Sequence, residues 1–213
     1  MDNIVEPVLA FNTIATSPSQ QFDGIMLDVE YWTDETNSPV STNCPGLCDL
    51  VKAIKARAPQ LGGGLFLAFF LKVNTATRTT PTYAGKTAQD GEHFMDVADF
   101  IVVGAYRDHA ADGGAESGPG QISPFQPWYD YASGQGKKGG LYCGSETSNV
   151  SPSYMTYFGA SRATMETEHA AIATEFAVAE NSAFLGQAIH DYNGWKAMRR
   201  VKHGHISSAP EHS

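Results

Sequence analysis

The chain alternates between stretches with a helical hydrophobic period and short, almost wholly apolar runs. In the helical stretches apolar residues recur every three or four positions, and these stretches cover residues 2–16, 44–58, 91–98, 125–132, 161–180 and from 194 onward. The apolar runs predict five strands, at residues 22–30, 65–73, 100–106, 140–146 and 184–191. Because the strands alternate with amphipathic helices, the pattern predicts an α/β fold with parallel βα repeats.

The loops show a second regularity, since those that follow strands are longer than those that precede them. The Thr-rich segment 74–88 and the Gly-rich segment 107–123 are both expected to be loops. In parallel α/β folds such loops lie at the carboxyl ends of the strands, where functional sites are built. The run 65–73 is nearly all apolar, which predicts a strand covered on both faces.

The first predicted strand ends in acidic and aromatic residues. Side chains alternate along a strand, so Met26, Asp28 and Glu30 share one face. Tyr31 and Trp32 follow directly. Two acids and two aromatics at one strand exit favour a functional site. The alternative is a strand end whose acids only meet solvent or cap the next turn.

The same alternation places further polar side chains at the other strand ends. It predicts inward positions for Lys72, Tyr106 and Glu146 on the second, third and fourth strands. The alternative for Glu146 is a salt bridge to Arg107 or to Lys72, because Glu residues at strand ends commonly pair with cations.

His190 takes the inward position on the fifth strand, and Asp191 points the other way. His190 is a candidate substrate hydrogen-bond donor, a metal ligand together with Asp191, or a buried structural histidine. His93 and His109 are expected at the surface.

Composition narrows the classes of partner. The 213 residues carry a net charge of −9 and no extended basic cluster, so nucleic acid is not an expected partner. An acidic protein with a neutral, aromatic-lined cleft suits an uncharged ligand such as a sugar. The sequence shows no phosphate-binding glycine loop and no metal-type spacing of its three cysteines, so neither a cofactor nor a metal is expected.

Membrane and targeting signals are also not expected. The chain has no run of about 18 apolar residues, and its first residues lack a basic region followed by an apolar core. As written the sequence fits a cytoplasmic protein, and a longer parent with a signal peptide would be secreted. The compartment therefore stays open.

The first strand resembles a known signature. Family 18 glycoside hydrolases, the chitinase group, carry D-G-x-D-x-D-x-E on the fourth strand of a TIM barrel. Asp23, Gly24, Asp28 and Glu30 match this motif, whereas Met26 stands where the first strand-internal Asp is expected. Tyr106 resembles the Tyr of the sixth-strand M-x-Y-D motif, and Arg107 replaces its Asp. The group commonly has a Trp near the position of His190, for which Trp195, Trp32 or Tyr192 could substitute.

The resemblance implies a mechanism. Glu30 would be the general acid, Asp28 would orient an N-acetyl group that attacks the anomeric carbon, and Tyr106 would hydrogen-bond the intermediate. A second mechanism uses two protein carboxylates, with Glu146 as nucleophile or base opposite Glu30. The remaining candidates are expected to bind substrate: Trp32, Tyr31, Lys72, Asp108, His190, Asp191 and Trp195.

Five βα units do not close an eight-stranded barrel, so the resemblance covers strands four to eight. We therefore expect a single truncated barrel-like domain at 1–202 and a disordered tail at 203–213. An uncovered sheet edge favours association, which predicts a homo-oligomer. Either another chain completes the barrel, or the sheet stays open, or the chain is a truncated remnant.

Three functions are consistent with these patterns. The first is a glycoside hydrolase-like protein acting on a neutral polysaccharide or oligosaccharide. The second is a non-catalytic carbohydrate-binding relative of the chitinases. The third is a metal-dependent barrel hydrolase that uses Asp28, Glu30 and His190.

Overall fold

The structure, a computed structural model, describes residues 2–28, 43–61, 65–73, 80–113, 119–137, 139–177 and 182–198. The helices are α1 (Asp2–Ile14), α2 (Asn43–Arg57), α3 (Asp90–Val97), α4 (Ile122–Gly134), α5 (Arg162–Phe176) and α6 (Tyr192–Ala197). The strands are β1 (Gly24–Asp28), β2 (Phe66–Lys72), β3 (Thr82–Tyr83), β4 (Lys86–Thr87), β5 (Phe100–Gly104), β6 (Leu141–Glu146) and β7 (Phe184–His190). None of the helices in these ranges is long and apolar enough to cross a membrane.

The main sheet has five parallel strands in the order β1-β2-β5-β6-β7, which confirms the predicted α/β fold. The spatial order follows the chain order without reversal. A doubly wound sheet would reverse its strand order part-way and carry helices on both faces. An unreversed order with the helices packed on one face is the arrangement of a barrel wall, so the fold is a partial barrel.

Helices α1 to α5 all contribute to the core on one face of the sheet. Alternate strand residues from four of the strands join the helices in one hydrophobic core, and they are Leu67, Phe69, Leu71, Ile101, Val103, Leu141, Cys143 and Phe184. Their neighbours in sequence point to the opposite face, which we call the open face. There Met26 is 54% exposed and Phe66 is 60% exposed. The prediction that β2 is covered on both faces is therefore wrong at its start, because no described element packs over Phe66.

Two helices show specific polar contacts, one at its own N-terminus and one to the chain after β2. Helix α5 begins after Ser161, whose hydroxyl accepts a hydrogen bond from the Thr164 backbone N–H at 3.0 Å, as expected of a serine N-cap. On α4, the buried Trp128 donates its indole N–H to the carbonyl of Val73 at 2.9 Å. Trp128 thereby holds the chain in place just after β2.

A short hairpin lies within the segment that was expected to be a loop. Strands β3 and β4 pair antiparallel, and the turn residues Ala84 and Gly85 have φ angles of 52° and 81°. Two positive φ angles in a two-residue turn match the strand twist of a tight hairpin. The hairpin is tied to α3 by an ion pair between Lys86 and Asp96 at 2.9 Å. His93, expected at the surface, is only 2% exposed and contacts the Pro81 carbonyl.

Candidate functional site

Parallel pairing brings the polar strand ends to one edge of the sheet. Asp28, Lys72, Glu146 and His190 are the last residues of β1, β2, β6 and β7, and Tyr106 lies two residues beyond β5. In a barrel this edge carries the active site. The structure therefore brings five of the predicted site residues to the same edge.

Glu146 and His190 form the central polar pair of this edge. They are register partners on adjacent strands, and Glu146 Oε2 lies 2.6 Å from His190 Nδ1. Glu146 is buried, with 3% of its surface exposed, whereas 59% of the His190 side chain is accessible. The alternative prediction for Glu146, a salt bridge to Arg107 or Lys72, is not found among the described residues, where the side chain beside its carboxylate is that of His190.

The second carboxylate oxygen of Glu146 is also occupied. Its Oε1 accepts the backbone N–H groups of Thr147 and Ser148 at 2.7 and 2.6 Å. Burial alone would raise the pKa of Glu146, but the hydrogen bonds from Ser148, His190 and Thr147 outweigh it and lower the pKa below its ordinary value. Glu146 is therefore ionised at neutral pH. It fixes the orientation of His190, since a carboxylate on Nδ1 leaves Nε2 as the nitrogen available to a ligand.

The His190 ring of this pair also belongs to a cluster of three rings. The ring centroids of Phe70, Tyr106 and His190 lie 5.9–6.1 Å apart in all three combinations, with interplanar angles between 29° and 38°. We call these three residues the aromatic platform. A platform of roughly parallel rings at the mouth of a cleft offers a flat apolar surface bordered by polar groups.

Glycines make room for the platform. Phe70 and His190 belong to strands three steps apart in the sheet, a span of about 14 Å at the usual strand spacing. Between them, β5 and β6 carry Gly104 and Gly144. A Cβ at Gly104 would lie 2.9 Å from the tip of the Phe70 ring. The missing side chain therefore allows Phe70 to lean over β5 toward Tyr106 and His190.

A cavity of about 440 Å³ lies on the other side of the end of β6, lined by Thr147, Phe158, Gly159, Ala160, Ser161, Gly194, Ala197 and Met198. Its described lining contains none of the predicted site residues. A smaller cavity of about 320 Å³ opens beside the aromatic platform, and its described lining is Phe70, Lys72, Val73, Gly104, Tyr106, Arg107, Tyr154 and Met155. We call this smaller space the platform cavity. It is within the size range of small-ligand sites, and it unites two predicted site residues.

Three predicted binding residues have local partners elsewhere. Asp108 accepts a 2.6 Å contact from the ring of the neighbouring His109. Asp191 caps α6, where its carboxylate accepts the backbone N–H groups of the first turn. Trp195 lies on α6 under the guanidinium of Arg162, 4.3 Å from the ring centroid. Their part in binding stays a prediction.

The opposite side of β6 carries a second polar cluster, which is structural. Ser145 is fully buried, its hydroxyl lies 2.8 Å from His169 Nε2, and it accepts a hydrogen bond from Gln121. Tyr157 donates to Gln121 in turn. Burial lowers the pKa of His169 to about 4, so its ring is neutral at physiological pH. This cluster anchors the strand end from the helix side.

Some predicted residues lie outside the described residues, namely Glu30, Tyr31 and Trp32. Within the described ranges, no three His, Cys, Asp or Glu side chains come together in a way that could hold a metal ion. The metal-dependent alternative needs Glu30, so it stays a prediction. Asp28 itself is exposed at the end of β1, beside Phe70 in the strand register.

Sequence reasoning missed several residues of this edge, chiefly Phe70, Tyr154 and the cavity role of Arg107. Phe70 was accessible to the same argument that found Lys72, because it lies two positions earlier on the same strand face. Tyr154 belongs to a short 3₁₀ turn, Ser153–Met155, far along the chain. We find no sequence signal that could have placed it there.

Comparison with solved structures finds chitinase-like barrels. The chain is 18% identical to a group IV chitinase of Ostrinia furnacalis solved with allosamidin, with a TM-score of 0.42 over 68% of this chain and 39% of that one. It is 16% identical to the spore cortex-lytic enzyme SleL of Bacillus megaterium, with a TM-score of 0.42 over 84% and 38%. It is 14% identical to a family 18 chitinase of Cycas revoluta solved with an N-acetylglucosamine tetramer, with a TM-score of 0.39 over 69% and 47%.

These likenesses concern part of the fold and carry no argument about activity at such scores. The chain spans less than half the length of each of these three solved chains. The chitinase-like resemblance expected from the strand motif is thus found again by structure, as a partial barrel. Family models and curated protein sequences, searched separately, gave no match.

Proposed function

We propose that this protein acts on carbohydrate as a glycosidase-like protein, with its cleft at the carboxyl edge of the sheet. The observation that carries the proposal is the aromatic platform, whose histidine, His190, is held by a buried carboxylate. The C–H face of a pyranose ring packs well on aromatic surfaces, while its hydroxyl groups need directional hydrogen-bond partners. Both kinds of surface occur side by side at this edge.

In the proposed mechanism the residues of the β1 motif do the chemistry. Glu30 protonates the leaving oxygen, Asp28 orients the N-acetyl group of the substrate, and Tyr106 hydrogen-bonds the intermediate. His190 presents Nε2 to the sugar, and Glu146 is a positioning residue that holds its ring.

The two-carboxylate mechanism receives less support. A nucleophilic carboxylate must present a free oxygen to the anomeric carbon. Both oxygens of Glu146 already accept hydrogen bonds, and the side chain is almost fully buried. The geometry therefore favours the mechanism in which the substrate supplies the nucleophile.

The test compares Glu30→Gln with wild type, using a fluorogenic N-acetylglucosamine oligomer for turnover and titration calorimetry for binding. We expect turnover to fall by about 10²–10⁴-fold, as for loss of a general acid, while affinity changes less than about threefold. Glu175→Gln is the matched control, since Glu175 is exposed on α5. Equal turnover by Glu30→Gln and wild type would contradict the assignment.

A binding-only function is the second candidate. Met26 occupies the place of an acidic motif residue and is largely exposed on the open face. Loss of that acid favours a protein that still binds carbohydrate in the cleft but does not hydrolyse it. Wild type that binds the oligomer with no turnover, and with affinity unchanged by Glu30→Gln, would establish this alternative.

We also propose that the protein is a homo-oligomer. Strands β1 and β7 are the two edges of the described sheet, and unpaired parallel edges favour association. Light scattering coupled to size-exclusion chromatography should give a mass above 22.9 kDa. A monomer across the accessible concentration range would contradict this proposal.

A further inference from the structure

The platform cavity differs in charge from the rest of the molecule. The chain has a net charge of −9. The charged side chains among the described residues that line the cavity are Lys72 and Arg107, and both are cationic. The neutral cleft expected from the sequence is therefore not what the described lining shows.

Neither cation is neutralised by a carboxylate in the part of the chain that the structure describes. Arg107 donates Nε–H to the carbonyl of Pro119 at 3.0 Å and an Nη1 hydrogen to the carbonyl of Tyr106. Its guanidinium also lies over the ring of Tyr154, 5.5 Å from the centroid. Lys72 is exposed at the end of β2, and no described acid lies within ion-pair distance of it.

These contacts hold Arg107 in place without neutralising its charge, because carbonyl groups and an aromatic ring carry no net charge. Two carbonyls and one ring fix the guanidinium, and three of its five N–H groups are not used by the two carbonyl contacts. A fixed guanidinium with spare donors is a preorganised site for a carboxylate or another oxyanion. The buried acid at the same edge of the sheet, Glu146, is held by three other hydrogen-bond partners, Thr147, Ser148 and His190.

We propose that the platform cavity recognises an anionic group on the saccharide, so that the preferred ligand is an acidic oligosaccharide. This inference rests on the proposed carbohydrate function and names its substrate class. The sugar ring lies against Phe70 and Tyr106, and its oxyanion faces Lys72 and Arg107. The oxyanion is a carboxylate or a sulfate ester, since both offer the same charged oxygens to these cations.

The test uses three ligands that differ only at C6. They are tetra-N-acetylchitotetraose, its derivative with the C6 alcohols oxidised to carboxylates, and its C6-sulfated derivative. Titration calorimetry at about 20 mM and about 200 mM NaCl should show at least one acidic ligand binding about tenfold more tightly than the neutral one at low salt, with the advantage shrinking at high salt. Whichever acidic ligand binds more tightly identifies the oxyanion.

Variants then test whether Lys72 and Arg107 cause the tighter binding of the acidic ligands. Lys72→Gln and Lys72→Gln with Arg107→Gln should progressively lower the ratio of acidic-ligand affinity to neutral-ligand affinity toward one. Lys72→Arg keeps the charge and should keep the preference. Lys196→Gln removes an exposed lysine on α6 and is the matched control, expected to change nothing. Lys72→Gln alone serves as the test if the double variant does not fold.

The results distinguish failure of the anionic preference from failure of the proposed carbohydrate function. Equal affinity for neutral and acidic ligands would overturn the anionic preference and leave the carbohydrate function standing. An advantage that persists in both glutamine variants would overturn the role of Lys72 and Arg107. Absence of binding by all three ligands would overturn the proposed function together with this inference.

Discussion

The two faces of the sheet differ in what packs against them, and strand β2 shows the difference most directly. Leu67, Phe69 and Leu71 point into the helix-covered core and are almost fully buried. Phe66 and Phe70 alternate with them on the open face, where Phe66 is exposed and Phe70 is buried beside the other rings of the platform. One strand thus contributes to stability on one face and to the candidate site on the other.

This separation has a general lesson. A side-chain period of two lets a single apolar strand serve two surfaces with different requirements. The covered face must be well packed, because every lost contact there costs stability. The open face can be altered for ligand binding at smaller cost. The following predictions test that separation, from the largest expected effect to the smallest.

Truncating a phenylalanine should matter far more on the covered face. Phe69→Ala is expected to lower the free energy of unfolding by about 3–5 kcal/mol, because it removes a buried ring and leaves a cavity. Phe66→Ala on the same strand should change it by less than about 1 kcal/mol. Urea unfolding monitored by circular dichroism measures both. A similar cost for Phe66→Ala would show that the open face is covered in solution.

Glu146 is the residue of the open face expected to matter most for stability. Glu146→Gln should lower the free energy of unfolding by about 2–3 kcal/mol at neutral pH, because it weakens charged hydrogen bonds to Ser148, His190 and Thr147.

The pH dependence of the free energy of unfolding tests whether Glu146 is ionised in the folded protein. The folded-state pKa of Glu146 is depressed, so its contribution is full above the ordinary glutamate pKa of about 4.3 and is lost as the pH falls through the lower folded value. Wild type and Glu146→Gln should therefore converge in stability at acidic pH. A difference that stays constant from neutral to acidic pH would contradict the assigned charge state.

Removing a helix cap should weaken the covered layer without affecting the cleft. Ser161→Ala deletes the hydroxyl that caps α5 and should cost about 1 kcal/mol in the free energy of unfolding. Ser161→Asn, another good cap, should restore most of that loss. Ligand affinity at the platform cavity is expected to stay at the wild-type value, and a change in affinity would show that the two faces are coupled.

Gly104→Ala should have the opposite effect to Ser161→Ala, because it is expected to change ligand affinity more than stability. The new Cβ meets the tip of the Phe70 ring, which can move, so the stability change should be below about 1 kcal/mol. Moving Phe70 should disturb the platform and lower oligosaccharide affinity several-fold, measured by titration calorimetry. Wild-type affinity in this variant would show that the ring cluster does not contribute to binding.

The sequence predicted the fold better than the contacts of the site. The five parallel strands followed from two kinds of hydrophobic period, and they are confirmed. The hairpin at Thr82–Tyr83 and Lys86–Thr87 was missed because strands of two residues are too short to show a period.

The residue that contacts the Glu146 carboxylate was harder to predict from the sequence than the strands themselves. Alternation had already placed Glu146 and His190 on the same face of neighbouring strands. The alternative considered for Glu146 was nevertheless a salt bridge to a permanent cation, Arg107 or Lys72. Register decided the outcome, since His190 lies directly opposite Glu146. Arg107 instead makes backbone contacts, which depend on loop geometry that a sequence pattern does not specify.

The hydrogen bond between Trp128 and Val73 can form only at a late point in the synthesis of the chain, because its two residues are far apart in sequence. The two residues are 55 positions apart, and Glu146 and His190 are 44 apart. At about 5–20 residues per second, the ribosome needs about 3–11 s after completing β2 before Trp128 is even made. The hydrogen bond from Trp128 to the chain after β2 therefore forms only after this part of α4 has been made.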